Sequence, residues 1–153
     1  MTKRKANPTS TWGIVLCGLG IAVMLGCGDG RLTTYTASGT VVYTDGKPLP
    51  GGFIVFTSDK HEAIQARGSI DESGKFSLGT YERGDGAVAG THQVSVRPPT
   101  DNPDAPPTHD INRRFYRPDL NDLVFEVTEI GPNDFKVEVG YPKHKQPKNW
   151  KLD

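Results

Sequence analysis

Between residues 40 and 139 the hydrophobic residues recur with a period of two, in short runs cut by turn residues. No other feature constrains the fold as tightly. Successive strand side chains point to opposite faces, so alternation marks strands with one buried face. Thr40–Thr44 is β-branched and aromatic and sets Val41 and Tyr43 on one face. Asp45-Gly46 follows as a tight turn, and residues 47–52 read as an irregular connection. Phe53–Phe56 is the second strand, and Ile64, Ala66, Gly68 and Ile70 alternate through a third. Asp71-Glu72-Ser73-Gly74 reads as a hairpin turn with Gly74 at positive φ, the return strand placing Phe76 and Leu78 inward. Gln93–Arg97 alternates clearly. Leu123, Phe125 and Val127, then Phe135, Val137 and Val139, read as a last hairpin about the 131–134 turn. Residues 98–107 hold five prolines and cannot pair as a central strand, so they form an extended exposed loop. Seven short strands with turn signals every eight to twelve residues or so predict an all-β fold, an antiparallel sandwich. The 18 glycines and 12 prolines suit a turn-rich β protein and are too many for a helical bundle.

Residues 1–26 differ from this pattern. Lys3, Arg4 and Lys5 form a basic start, and Trp12–Leu25 then runs fourteen residues without a charge. A helix needs about 20 apolar residues to span a bilayer core. Fourteen is short for a span and suits the apolar region of a signal peptide, here an N-terminal signal helix. The run closes on Met24-Leu25-Gly26-Cys27, which resembles a bacterial lipobox, with Met24 where Leu is usual. The resemblance implies that Cys27 is the lipid attachment site and becomes the new N-terminus. Residues 27–36 would then be a polar tether, 37–140 the sandwich, and 141–153 a Lys-rich flexible tail. The expected location is extracytoplasmic and membrane-anchored. Gly28 after Cys27 points toward the outer membrane or cell surface rather than inner-membrane retention.

Charge and cysteine count narrow the functional classes. The chain has 18 basic and 18 acidic residues, so the electrostatic case for a nucleic-acid partner is missing. Removal of residues 1–26 leaves 15 basic and 18 acidic residues, a net charge of −3. It also removes Cys17, and acylation would occupy the sulfur of Cys27. No disulfide, thiol nucleophile or Cys-ligated zinc is then expected.

Three stretches carry a family resemblance. Gly39-Thr-Val-Val-Tyr-Thr-Asp-Gly-Lys-Pro-Leu-Pro-Gly-Gly-Phe-Ile-Val-Phe56 is similar to the opening of carboxypeptidase-regulatory-like, or transthyretin-like, domains. Gly68–Phe76 and Gly86–Val96 resemble the strand-turn-strand and the loop-strand that follow in that family. Phe115-Tyr116 and Asn133-Asp134-Phe135 resemble a group of small bacterial lipoproteins built on this domain. The resemblance spans about residues 37–140. It implies a seven-stranded Greek-key sandwich of the transthyretin-like, prealbumin-like kind, used as an accessory or binding module. Two enzymes of related architecture fit poorly. Hydroxyisourate hydrolases finish in Tyr-Arg-Gly-Ser, whereas this chain finishes Lys148-Asn149-Trp150-Lys151-Leu152-Asp153. Intradiol dioxygenases hold iron with two Tyr and two His. His92, His109, Tyr116, Tyr141 and His144 reproduce no dense ligand motif, so no metal or cofactor is expected.

The expected function is therefore a lipid-anchored envelope protein with a non-catalytic binding or structural domain. It would present loops or edge strands to an envelope protein or glycan. The alternative is a small envelope hydrolase or metal-dependent enzyme on the same fold. The most concentrated candidate surface is Arg113, Arg114, Phe115, Tyr116 and Arg117. Arginine grips carboxylate or phosphate in bidentate fashion and stacks on aromatics. The plainer reading, in which an aromatic plugs the sandwich and the arginines stay solvated, is preferred. His109-Asp110 resembles a base with its orienting group, but adjacent residues of an extended segment point opposite ways. Asp71-Glu72-Ser73 and Asp119–Asp122 lack calcium-loop spacing and read as turn acids.

Overall fold

A computed structural model describes residues 30–100 and 109–142. The expected signal segment, Cys27, the centre of the Pro-rich stretch, His144 and the expected Lys-rich tail after Pro142 lie outside the described residues. The chain divides into two units, Met1–Arg31 and Leu32–Asp153, and the fold described here is that of the second. Among the described residues no helix is long and apolar enough to cross a membrane.

The second unit is all-β. Its strands are β1 (Thr34–Tyr35), β2 (Ala37–Tyr43), β3 (Phe53–Ser58), β4 (Gln65–Ser69), β5 (Lys75–Ser77), β6 (Ala87–Val88), β7 (Gly90–Arg97), β8 (Val124–Val127) and β9 (Asn133–Val139). Two single-turn 3₁₀ segments, Arg113–Tyr116 and Pro118–Leu120, precede β8. The seven runs read from the alternation all form strands, and β1 and β6 add a two-stranded pair too short to show periodicity. One sheet has the order β5-β2-β9, the other β4-β3-β7-β8.

The two sheets share one core because alternate residues of each point between them. Phe56 on β3 is the hub. Its ring lies 6.2 Å from Phe76 on β5 and 5.4 Å from Phe135 on β9, both across the gap, and 6.0 Å from Phe125 of its own sheet. Val41, Ile54, Val94, Val96, Val137 and Val139 are fully buried around these rings. Leu123, Phe125 and Phe135, expected inside, are only partly buried against this core. Leu49 and Ile111 are fully buried although they sit in irregular segments.

Pairing departs from the expectation in two ways. The expected 131–134 hairpin does not form, and the 71–74 hairpin is reduced to the turn and one antiparallel bridge, Arg67 opposite Gly79. The Asp71–Gly74 turn closes as predicted, with Gly74 at φ 79° and the Asp71 N–H donating to the Lys75 carbonyl at 2.8 Å. Yet β4 pairs with β3 while β5 pairs with β2 in the opposite sheet. Likewise β8 pairs with β7 and β9 with β2. A tight turn reverses the chain equally well whether the return strand lies beside its predecessor or across the core. The facing aromatics select the latter, since Phe76 and Phe135 reach Phe56 only from the second sheet.

The second departure is direction. β2 and β9 run parallel, in register from Ala37 opposite Asn133 to Tyr43 opposite Val139. No short turn joins them, so nothing local imposes an antiparallel arrangement. Two residues hold this pairing. Gly39 lies opposite Phe135, and a Cβ there would collide with the Phe135 carbonyl oxygen. The buried Asn133 side chain donates to the carbonyls of Thr36 (3.2 Å) and Thr128 (3.0 Å) and accepts from the Thr128 N–H (2.9 Å) and hydroxyl (3.1 Å). It ties the crossover between sheets to the start of β2.

His92 on β7 is 1% exposed and packs against Phe56, with ring centroids 6.0 Å apart. Its Nδ1–H donates to the Gly90 carbonyl at 2.9 Å, the only role a carbonyl partner allows. Burial pushes its pKa below the ordinary 6.5. The unfolded chain thus takes a proton that the folded chain refuses, and stability present above the unfolded pKa is lost on acidification. We expect the thermal midpoint to fall between pH 6.5 and about pH 5 and His92→Leu to flatten that fall; an unchanged profile in the variant refutes the assignment. Gly39→Ala is expected to destabilise the domain by about 1–3 kcal/mol in equilibrium denaturation, whereas a neutral result would show that β9 shifts freely.

Candidate functional site

The Arg113–Arg117 cluster is held in place by short-range capping. The Asn112 side chain accepts from the Arg114 N–H at 3.1 Å, and the Asn112 N–H donates to the Gly140 carbonyl at 2.8 Å, fixing the segment to the end of β9. Phe115 turns inward and is 4% exposed. Arg113 and Arg114 stay in solvent, the Arg114 guanidinium lying 4.6 Å from the Phe115 ring centroid. The Tyr116 hydroxyl donates to Asp110 Oδ1 at 2.8 Å. Arg117 makes a two-pronged pair with Asp119, at 3.0 and 2.7 Å, and holds that carboxyl below its usual pKa. The preferred reading of an aromatic plug with solvated arginines agrees with this geometry. Only Tyr116 and Arg117 of the five reach the groove described next.

That groove lies on the outer face of the four-stranded sheet and arises from a mismatch in strand length. β8 pairs only with Gly90–Gln93, leaving the second half of β7 without a strand on that side. The two 3₁₀ segments fill the space. Asn121 locks them there, its amide donating to the carbonyls of Val94 (3.1 Å) and Arg117 (2.7 Å) while its oxygen accepts from the Leu123 N–H (2.8 Å). Tyr116, Arg117, Pro118 and Asp119 thereby wall a depression of about 690 Å³ floored by β3, β4 and β7.

Register places its floor residues. Phe53 lies opposite Arg97 on β7 and Ser69 on β4, and Val55 lies opposite Arg67 and Ser95. Because Ile54 and Phe56 face the core, Phe53 and Val55 must face out, and Phe53 is 60% exposed. Arg67 leans on Gln65, its Nη2 donating to Oε1 at 2.8 Å. Arg97 has no ion pair among the described residues. A second depression of about 470 Å³ shares Arg67, Gly68 and Ser69 and continues over the β4 edge to residues 79–84. The rim there is organised by Asp85, whose carboxylate accepts from the N–H groups of Thr80 (2.6 Å), Tyr81 (3.0 Å) and Glu82 (3.1 Å). The sequence reading missed Phe53, Arg67 and Arg97. The available signal was an aromatic and two arginines out of phase with the core residues of their own strands.

Several of the remaining described candidates make turn and packing contacts. Asp110 Oδ1 accepts from the Tyr116 hydroxyl, and among the described residues Asp110 and His109 share no hydrogen bond. The Tyr43 and Tyr141 rings stack 4.2 Å apart at an interplanar angle of 3°. The Tyr141 hydroxyl donates to Asp45 at 3.1 Å, and burial pushes the Tyr43 hydroxyl up to about 12. Tyr116, Tyr141 and His109 gather at this end of the sandwich, whereas His92 lies in the core. Among the described residues no three His, Cys, Asp or Glu side chains are grouped to hold a metal. Asp71 Oδ1 accepts from the Ser73 N–H (2.8 Å), the Ser73 hydroxyl (2.7 Å) and the Lys75 N–H (2.9 Å), which makes it a turn acid as expected.

No protein-family model matches the chain, and neither a curated protein nor a solved structure does.

Phe115→Ala is expected to cost about 3–5 kcal/mol in denaturant unfolding. Joint replacement of Arg113 and Arg114 by Ala should change stability by no more than about 0.5 kcal/mol each. Equal effects would contradict the division into plug and solvated arginines.

Proposed function

We propose that the chain is a lipid-anchored envelope protein whose transthyretin-like, Greek-key sandwich binds a partner without catalysing a reaction. The observation that supports this reading best is the open groove on the outer face of the four-stranded sheet, where Phe53 stands exposed between Arg97 and Ser69. Exposed aromatics and arginines are the residue types that contribute most where one surface binds another. Cys27 supplies the anchor, and the groove meets material of the envelope. Tyr116 and Arg117 join the binding surface as its wall, while Phe115 holds that wall to the core. The family resemblance of residues 39–56, 68–76 and 86–96 agrees with an accessory binding module.

Two measurements test the two halves of this proposal. Mass analysis of protein extracted from native membranes should give a chain beginning at acylated Cys27, and Cys27→Ser should release the protein from the membrane. A chain that retains Met1, or is cut elsewhere without lipid, refutes the anchor. The double variant Arg67→Glu/Arg97→Glu should remain anchored yet lose retention on isolated envelope material. Unchanged retention removes the groove from the proposal.

A further inference from the structure

Resting on that binding reading, we propose that the groove takes an acidic glycan, a saccharide chain carrying carboxylate or sulfate groups, stacked on Phe53 and gripped by Arg97 and Arg67.

Charge complementarity selects an anion. The chain as a whole is neutral, yet the groove gathers three arginines against one carboxylate, Asp119, and Arg117 already engages that one. Arg67 and Arg97 are left with no carboxylate partner among the described residues. The outer face of the other sheet is different. There Lys136 pairs with Glu138 at 2.8 Å, and Asp134 and Lys75 balance in sign. The excess is confined to one face.

The layout of the groove selects a chain-like ligand. Arg67 and Arg97 stand on strands that flank β3 and are offset by two residues, so their Cα atoms are roughly 11–12 Å apart. Both line the groove floored by Val55, and the path then continues past Arg67 into the second depression. A polymer with repeated acidic groups meets both cations at once, while a small anion meets one.

The floor selects saccharide over peptide. Extended peptides gain affinity from main-chain hydrogen bonds at a sheet edge. This groove lies on the face of β3, whose backbone is already paired on both sides. What it offers instead is an exposed aromatic ring beside hydroxyl and amide side chains, Thr57, Gln65 and Ser95 among them. A ring stacked on Phe53 places its acidic substituent next to Arg97, its direct cross-strand neighbour. Arginine then binds that group through two parallel N–H donors.

The test uses the full-length protein in a zwitterionic detergent, titrated with oligogalacturonate, dextran sulfate, uncharged dextran and poly-glutamate. At least one of the two acidic glycans should bind, weakening as salt rises. Dextran should not bind, and poly-glutamate should bind at least tenfold more weakly. Phe53→Ala, Arg67→Ala and Arg97→Ala should each weaken glycan binding by about tenfold or more. Arg97→Lys, which keeps the charge but not the fork, should restore only part of it. All three positions are exposed, so an unchanged circular dichroism spectrum is expected throughout. Poly-glutamate binding as tight as the glycan, or glycan binding indifferent to Phe53→Ala, would reduce the groove to a simple basic patch and overturn the inference. So would failure of both acidic glycans to bind. If that failure coincides with envelope retention that Arg67→Glu/Arg97→Glu still abolishes, the glycan is wrong and the binding face stands. Loss of both removes the two together.

Discussion

The pairing of the first long strand with the last is the constraint on which the sandwich depends. β2 has β5 on one side and β9 on the other, so the three-stranded sheet exists only when segments nearly 100 residues apart meet. Parallel strands so distant in sequence have no turn to set their register. Side chains must do it, and here Gly39 admits the Phe135 backbone while Asn133 ties the crossover at Thr128 to Thr36 at the start of β2. Once β9 is seated, Phe135 reaches Phe56 from across the core, and Phe56 in turn fixes the height of the four-stranded sheet. The position of the outer face, and so of the groove, follows from that stack.

The groove also shows how a missing strand becomes a surface. Had β8 been as long as β7, the sheet would be flat and fully paired, with no wall. Instead Pro118 and the capped turn around Asn112 interrupt the chain, and Asn121 binds the interruption to β7. The wall is thus held by hydrogen bonds to a central strand and by one buried aromatic. Preorganisation of this sort lowers the ordering cost of binding.

How much of this could be read beforehand depended on range. Every long strand was legible, because alternation is local and the turns around Gly46 and Gly74 carry their own chemistry. Partnership was not, since a reversal of direction says nothing about whether the next strand lies beside or across. Leu49 and Ile111 escaped because they are buried from irregular segments, where no period betrays them. At the candidate site, an aromatic plug at Phe115 or Tyr116 was legible from aromatics set among arginines, and burial selects Phe115. The groove was not, because Arg67, Arg97 and Phe53 become neighbours only through the pairing of β3 with β4 and β7. Read along the chain, each is an ordinary outward strand residue.

The parallel pairing of β2 with β9 also imposes an order on synthesis. At ribosomal speeds of 5–20 residues per second, β9 emerges on the order of 5–20 s after β2. For that interval β2 has an unsatisfied edge and the core lacks Phe135, Val137 and Val139. A nascent chain in this state cannot settle into its native shape early, and it must be kept from pairing with its neighbours on the same polysome. Folding of this domain therefore waits until β9 has been made.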